Sequence, residues 1–317
     1  MESDKYSRPG GAGALALTVP PECAGLRLDQ ALARLLPSHS RSRLKGWIES
    51  GRVAVDGAAA APRRKLAGGE RIDVEPGDEA AIADAPQPIG LAIVHEDDAV
   101  IVVDKPAGLV VHPGAGNRDG TLLNALLHRH PGLAAVARAG IVHRLDKDTS
   151  GLMVVARTPE AQTDLVRQLA SRTVRREYLA LVRGDVAKPA TVDAPIGRHP
   201  VHRTSMAVVE RGKEARTHVA PVERYGTATL VRCTLDTGRT HQIRVHLAAI
   251  GHPLVGDPVY GGRRAAPGVP AFARQALHAE RLGFVHPATR RAMSFAAPLP
   301  ADFAALLDAM RAGAKRS

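Results

Sequence analysis

The sequence predicts an α+β protein whose larger domain is a mainly antiparallel, mixed β-sheet with flanking helices. Apolar runs are short and separated by turn residues, as in "LAIVHEDDAVIVVDKP", which is typical of hairpins. Helical periodicity appears in isolated segments and does not alternate regularly with strands, which disfavours a series of βαβ units. A length of 317 residues allows about two domains. We therefore expect a small domain followed by a larger one.

The small domain is predicted over residues 25–78, after a disordered leader over residues 1–24. In "RLDQALARLLP", Leu28 and Leu32 share one helical face, and Pro37 ends the helix. The segment "SRSRLKGWIESG" predicts a second helix that ends at its last glycine. Short strands are predicted in "RVAVDG" and "ERIDVEPGD".

Basic residues are concentrated in this small domain, where only Glu49 and Asp56 oppose them between Arg34 and Lys65. The whole chain carries 43 Lys and Arg against 32 Asp and Glu, and a net charge of +11 favours a nucleic-acid partner. The order of elements resembles the S4-type RNA-binding module. Its candidate RNA-binding residues are Arg41, Arg43, Lys45, Arg52, Arg63, Arg64 and Lys65. The alternative is a solvated basic face without a ligand.

A linker rich in Ala and Pro is predicted over residues 79–90, and the larger domain over residues 91–317. Helices are predicted in "GTLLNALLHRH", "QTDLVRQLASRTV" and the final "ADFAALLDAMRAG". The segment "REYLALVRG" predicts a strand, and "TATLVRCTLDTGRTHQIRVHLAAIGHP" a strand, a turn and a helix. Two late strands are expected in "RLGFVHP" and "AMSFAAP".

Composition disfavours several classes of protein. The only two cysteines, Cys23 and Cys233, lie far apart, which makes a disulfide framework or a metal cluster improbable. The spacings of the histidines match no zinc motif, so we expect no metal site and histidines bonded to backbone or phosphate; those in question are His112, His143, His241, His246 and His252. No apolar run is long enough to span a membrane, so a cytoplasmic protein is expected.

The segment "IVHRLDKDTSGLMVVAR" places many charges between two apolar runs that are predicted to be buried strands. A loop between such strands presents polar side chains at fixed positions. Asp146 in this loop needs a cationic partner if its charge is partly buried, and Arg144 and Arg244 are the candidates. Taken alone, an Asp–Arg pair is structural more often than catalytic.

Five motifs occur together and in order: "DKPAGLVVHPG", "HRLDKDTSG", "REYLALVRG", "GRTHQIRVHL" and "GHPLVGDPVYGG". With them the chain resembles the RluA-type family of pseudouridine synthases over residues of about 25–310. The S4-type module in front and the segment "RQALHAERLGFVHP" look most like the D type of this family, which acts on large-subunit ribosomal RNA. Ribosomal RNA is therefore the expected partner, and a monomer is the expected state.

The resemblance also implies roles for residues that match the motifs. Asp146 matches the catalytic aspartate, and Arg244 the basic residue paired with it. Tyr178 matches the tyrosine that packs against the flipped base and is a proposed proton acceptor. Arg144 matches the arginine that enters the RNA as the nucleotide leaves its stack, and Leu247 an apolar position beneath the base.

The chemistry of pseudouridine formation agrees with this set of residues. The N1–C1′ bond breaks, the base turns, and C5 joins C1′, so no atom is gained and no redox step occurs. A carboxylate is needed near C1′, acting through either an acylal or a glycal route, and a base must take the C5 proton. The uridine must also leave its stack. No cofactor is expected.

These motifs contain further polar residues. Lys105 in "DKPAG" has two equally supported interpretations, a phosphate contact in substrate binding and a structural role before Pro106. Asp148, Thr149 and Ser150 are expected to hold the loop by hydrogen bonds. Two rival functions stay open: a catalytically silent RNA-binding or ribosome-assembly factor on the same scaffold, and an isomerase that acts on tRNA.

Overall fold

The computed structural model describes residues 14–37, 41–76, 85–114, 116–202, 204–262 and 268–314, without the side chains of residues 41–43 and 314. Two compact units divide the chain between Ala83 and Asp84, a point inside the expected linker. No described helix is both long and apolar enough to cross a lipid bilayer.

The small unit packs two helices against a four-stranded antiparallel sheet in the order β1-β4-β2-β3. Its elements are β1 (Leu15–Thr18), a 3₁₀ turn (Pro21–Cys23), α1 (Leu28–Leu35), α2 (Arg41–Glu49), β2 (Val53–Val55), β3 (Ala58–Ala59) and β4 (Arg71–Val74). The predicted apolar face of α1 is buried, since Leu28 and Leu32 are inaccessible to solvent. Trp47 of α2 and Ile72 of β4 belong to the same core.

The expectation of a disordered leader over residues 1–24 is wrong for its last part. β1 pairs with β4 in antiparallel register, with Leu15 opposite Val74. Val19 and Cys23 are buried in the core of the small unit. The strand was missed because four residues show too short an alternation to be recognised without the strand with which they pair. Residues 1–13 of the leader lie outside the described residues.

The large unit is built on a nine-stranded sheet in the order β5-β6-β7-β14-β8-β13-β12-β9, with β15 paired to β14. Only β7 and β14 are parallel among its described pairs, so the predicted α+β class with a mainly antiparallel, mixed sheet is confirmed. The strands are β5 (Ala92–Glu96), β6 (Val100–Lys105), β7 (Ser150–Ala156), β8 (Arg175–Arg183), β9 (Ala190–Asp193), β12 (Arg216–Arg224), β13 (Ala228–Leu235), β14 (Leu277–Val285) and β15 (Ala292–Ala296). A separate hairpin is formed by β10 (Ile196–Arg198) and β11 (Met206–Val208).

Four helices flank this sheet: α3 (Leu122–Arg129), α4 (Pro159–Ala170), α5 (Gln242–Ala249) and α6 (Ala301–Ala314). Two 3₁₀ segments, Pro131–Ala135 and Ala137–Gly140, follow α3. The predicted hairpin of β5 and β6 forms as expected, and the strands and helices predicted later in the chain are also present.

The apolar run before the charged loop is not a strand. Ile141 makes a single antiparallel bridge to Val155 of β7 and is buried. Only the second run, within β7, is a strand, and all seven of its residues are buried. The charged loop therefore leaves a 3₁₀ segment and turns back along β7. Its ends are still fixed by the sheet, which is the property that the prediction required.

Candidate active site

A cleft of about 500 Å³ opens over the charged loop, the start of β8 and the turn between β13 and α5. Its lining contains six arginines and two aspartates, a strongly cationic surround for an RNA backbone. The arginines are Arg138, Arg144, Arg172, Arg176, Arg239 and Arg244, and the aspartates are Asp146 and Asp236.

Asp146 lies in the loop just before β7, and its side chain is 15% exposed. The loop closes through a turn in which the backbone N–H of Thr149 donates to the carbonyl oxygen of Asp146, at 3.1 Å. At the start of β7, a Cβ on Gly151 would lie 2.3 Å from the carbonyl oxygen of Ala279 in β14. Only glycine permits this approach and its φ of +113°. The parallel pair of β7 and β14 thus fixes the end of the loop.

Lys105 holds the charged loop through a hydrogen bond to its backbone and does not line the cleft. Its side chain is fully buried, and Nζ donates to the carbonyl oxygens of Pro106, Leu109 and Lys147 at 2.7, 2.9 and 2.9 Å. Burial lowers the pKa of the ammonium group to about 8. All three N–H donors are used, so the proposed phosphate contact is wrong and the structural interpretation holds.

Three further contacts fix the loop from the segment before and within β14. Arg274 donates to the carbonyl oxygen of Asp148 at 3.0 Å. The Gln275 side-chain amide donates to Thr149 Oγ1 at 3.2 Å. Ser150 Oγ lies 3.0 Å from Nδ1 of His278. As expected, the residues after Asp146 serve as hydrogen-bond partners that hold the loop, although Asp148 does so through its backbone.

Arg244 of α5, and not Arg144, pairs with Asp146. Its Nη1 lies 3.0 Å from Asp146 Oδ2, across 98 residues of sequence. The other two nitrogens of the guanidinium bind Asp257, with Nε 2.7 Å from Oδ2 and Nη2 2.9 Å from Oδ1. Burial disfavours the charged guanidinium, but the two carboxylates outweigh it and raise the pKa of Arg244. The cation is thus held rigidly against the candidate catalytic carboxylate.

Asp257 is the site residue that the sequence reasoning missed. Its side chain is fully buried and also accepts the backbone N–H groups of Val259 and Tyr260, at 2.8 and 3.0 Å. Burial opposes ionisation, yet these donors and Arg244 keep its pKa below the usual range. The only available signal was a lone acid in the otherwise apolar and glycine-rich "GHPLVGDPVYGG".

Tyr178 and Arg144 line the same cleft as Asp146. Tyr178 is 6% exposed in β8, and burial raises the pKa of its hydroxyl, with Arg176 opposing and Asp146 reinforcing that shift. The hydroxyl is therefore neutral near pH 7. Arg144 is exposed, so its guanidinium is accessible to a bound ligand.

Leu247 does not reach the cleft. It is fully buried in the main core of the large unit, on the inner face of α5. Ile243, one turn earlier in the same helix, and Leu277 line the cleft instead. The assignment of Leu247 as a residue beneath the base is therefore wrong for direct contact, because α5 turns that position into the core.

Four of the five histidines are held by backbone or side-chain hydrogen bonds, whereas His112 lines the cleft and its buried Nε2 has no hydrogen-bond partner among the described residues. His143 Nε2 accepts the backbone N–H of Val154 at 3.1 Å, His246 Nε2 lies 2.9 Å from the carbonyl oxygen of Ala194, and His252 Nδ1 is 2.9 Å from that of Arg183. In the described part of the chain, no three His, Cys, Asp or Glu side chains are grouped so as to hold a metal ion.

The candidate RNA-binding residues of the small unit are largely exposed. Arg63, Arg64 and Lys65 are all exposed in the segment before the buried Leu66. Lys45 pairs with Glu49 one turn later in α2, at 3.2 Å. Arg52 is partly buried, and the side chains of Arg41 and Arg43 lie outside the described residues.

Comparison with known proteins agrees with this site. The RNA pseudouridylate synthase family matches residues 99–249, and the S4 domain matches residues 26–72. The chain belongs to the RNA pseudouridine synthase family, and its small unit carries the S4 domain. The solved structure of human RNA pseudouridylate synthase domain containing 1 is similar, with a TM-score of 0.54 and 29% identity over 72% of this chain and 87% of that one.

Two proteins that share one description are similar to most of this chain. A protein of Nitrosomonas europaea described as ribosomal large subunit pseudouridine synthase D is 59% identical over 94% of this chain and 88% of its own length. A protein of Pseudomonas aeruginosa with the same description is 55% identical over 93% of this chain and 95% of its own.

Proposed function

We propose that this chain isomerises specific uridines of large-subunit (23S) ribosomal RNA to pseudouridine, with Asp146 as the catalytic carboxylate. The observation that carries the proposal is the position of Asp146: it is partly exposed at the base of a cationic cleft, and its partner Arg244 is itself locked by Asp257. A flipped nucleotide that entered this cleft would meet one carboxylate of fixed orientation.

In this proposal the side chains divide the work of one isomerisation. Asp146 supports cleavage of the N1–C1′ bond, either by attack on C1′ or by removal of a sugar proton. Arg244 holds that carboxylate in a fixed orientation. Tyr178 packs against the uracil, and its phenol oxygen accepts the C5 proton after C5 has joined C1′, while the phenol's own proton passes to solvent in the cleft. Loss of that proton restores the aromatic ring, so a weak base suffices.

Binding is assigned to the cationic surfaces. Arg144, exposed at the rim of the cleft, fills the space that the flipped uridine leaves. The S4 domain supplies affinity through Lys45, Arg52, Arg63, Arg64, Lys65 and the α2 residues Arg41 and Arg43. The proposal includes a cytoplasmic location and a monomeric enzyme.

Asp146→Asn tests the assignment. It removes the charge and keeps the volume, so RNA binding and folding should persist while turnover is abolished. The readout is tritium release from ribosomal RNA that carries uridine tritiated at C5. Release at the wild-type rate would refute the role of Asp146. Tritium release from tRNA but not from ribosomal RNA would indicate that tRNA is the substrate. RNA binding without release by the wild-type protein would favour the silent assembly factor.

A further inference from the structure

A hydrogen-bonded pair, His241 and Tyr260, stands beside Asp146, near the carboxylate oxygen that Arg244 does not bind. Tyr260 Oη lies 2.8 Å from His241 Nδ1, and the two rings meet edge to face with centroids 5.7 Å apart. His241 Nε2 lies 3.9 Å from Asp146 Oδ1, while Arg244 binds the other carboxylate oxygen. The two oxygens of Asp146 therefore have different neighbours.

The direction of the hydrogen bonds is inferred from the second partner of the phenol. The backbone N–H of Met206 in β11 donates to Tyr260 Oη at 2.9 Å. An N–H group can only donate, so the phenol oxygen is the acceptor in that bond. The phenol proton is available for donation to His241 Nδ1. Burial raises the pKa of Tyr260, which keeps this proton on the hydroxyl.

This donation would set the tautomer of His241. Burial lowers the pKa of the imidazole, with Asp146 and Asp257 opposing and Arg244 and Arg144 reinforcing that shift, so the ring is neutral near pH 7. A neutral ring that accepts at Nδ1 carries its one proton at Nε2. That Nε2–H is the group on the Asp146 side. The separation of 3.9 Å exceeds a direct hydrogen bond, and a small side-chain movement would close it.

The backbone conformation of His241 also indicates a positioning role for this residue. Its φ of +56° is left-handed, a conformation that L residues other than glycine rarely adopt. Such residues persist where the surrounding structure holds them, often at functional sites. Here the left-handed turn sets the imidazole at the first residue before α5, between Tyr260 and Asp146.

We propose that His241 is a positioning residue for Asp146, and that the hydroxyl of Tyr260 fixes the imidazole in the tautomer that carries its proton on Nε2. In this arrangement Arg244 lies at Oδ2 of the carboxylate and His241 lies near Oδ1. Rotation about the last side-chain bond of Asp146 is restrained, and Oδ1 stays directed to the cleft. The catalytic part of this inference, the effect of His241 on turnover, rests on the proposed function. The geometric part, the position and tautomer of His241, does not.

The geometric part is tested directly on the free protein. Long-range ¹H–¹⁵N spectra of protein labelled in histidine report which ring nitrogen of His241 is protonated. We expect an unprotonated Nδ1 and a protonated Nε2 at pH 7. The opposite tautomer or a cationic ring would overturn the inference. This measurement needs neither RNA nor turnover, so it stands even if the proposed function fails.

The catalytic part is tested by Tyr260→Phe. Phe keeps the ring that packs 5.0 Å from the Arg244 guanidinium and loses only the hydroxyl. We expect kcat to fall by up to about 100-fold, since the carboxylate is no longer oriented, with KM nearly unchanged. The acid limb of the kcat profile should move to higher pH, because His241 without the phenol donor protonates more readily and then pairs with Asp146.

Two comparisons make that result specific. Tyr225→Phe is the same chemical change at a partly buried tyrosine in another cluster, and it should leave kcat and its pH profile as in the wild type. Two variants at position 241 are compared, and both bear the same backbone strain. His241→Gln keeps an N–H donor near the Nε2 position, and His241→Met does not. We expect the Gln variant to retain more activity. Equal activities, or a wild-type profile for Tyr260→Phe, would overturn the catalytic role; wild-type tritium release by Asp146→Asn would instead indicate that the proposed function is wrong.

Discussion

Arg244 and Asp257 form a bidentate ion pair, at 2.7 and 2.9 Å, in which the carboxylate is fully buried and the guanidinium is 5% exposed. The pair leaves one nitrogen of Arg244, Nη1, to reach Asp146. The direction in which that nitrogen points is therefore set by Asp257. A residue without a direct place in the chemistry thus controls the orientation of the candidate catalytic carboxylate.

Asp257→Asn should cost both stability and activity. The substitution leaves the buried guanidinium of Arg244 with one carboxylate partner, the partly exposed Asp146. Breaking a buried ion pair typically lowers the free energy of unfolding by about 3–5 kcal/mol. Chemical denaturation and tritium release provide the two readouts.

The matched control for that variant is Asp302→Asn. Asp302 also binds an arginine bidentately, since Arg274 Nε and Nη2 lie 2.7 and 2.9 Å from its oxygens. Its side chain is 48% exposed, so the loss of stability should be smaller. If the two variants lost equal stability, burial would not be what makes the Arg244–Asp257 pair important.

Tyr178→Phe should bind RNA as the wild type does and release tritium far more slowly. Phe keeps the ring that packs against the base and removes the proposed proton acceptor. A general base contributes about 10²–10⁴-fold, which sets the expected loss in rate. Tyr178→Leu removes the ring as well and should weaken RNA binding too. Wild-type tritium release from the Phe variant would show that the hydroxyl is not the C5 base.

Acid should destabilise the protein partly through His143. Burial, reinforced by Arg176, lowers the pKa of this imidazole from 6.5 to about 3. Above pH 6.5 the ring is neutral in the folded and unfolded chain. Below it, only the unfolded chain takes up the proton, so stability falls by up to about 1.4 kcal/mol per pH unit.

His143→Gln isolates this contribution. Gln keeps a side-chain acceptor for the backbone N–H of Val154 and does not titrate. Melting temperatures between pH 7 and pH 4 should fall less steeply for this variant than for the wild type. His128→Gln, at an exposed position of α3, should leave the slope unchanged. A wild-type slope in His143→Gln would contradict the prediction.

The basic segment of the S4 domain should contribute affinity without contributing chemistry. Replacing Arg63, Arg64 and Lys65 by Ala should make RNA binding less dependent on salt. The slope of log affinity against log salt should become shallower by about 0.7–0.9 for each phosphate that these side chains neutralise in the wild type. Turnover at saturating RNA should not change.

Arg311→Ala is the control for charge alone. Arg311 is an exposed arginine of α6 in the other unit, paired with Glu223 at 2.8 Å. Its replacement should leave the salt slope as it is in the wild type. Equal slopes in the triple variant and the wild type would mean that the basic segment is only a solvated face.

The sequence by itself determined the α+β class, most of the helices and strands, and the chemical types that meet in the cleft. Periodicity and turn residues are local properties, so hairpins such as β5–β6 can be read from neighbouring residues. The motifs likewise identified Asp146, Tyr178 and Arg244, which the structure brings to one cleft.

Only the tertiary structure decided which partners these residues have. Leu247 was expected at the substrate and Lys105 was a candidate there, but both are fully buried, because burial depends on what packs above a strand or helix. Asp257 became the partner of Arg244, and the first apolar run became a bridge to β7, through contacts that no local pattern encodes. Local sequence specifies which conformation and chemistry a segment favours, whereas the pairing of charges and strands distant along the chain follows from the packed arrangement of the whole unit.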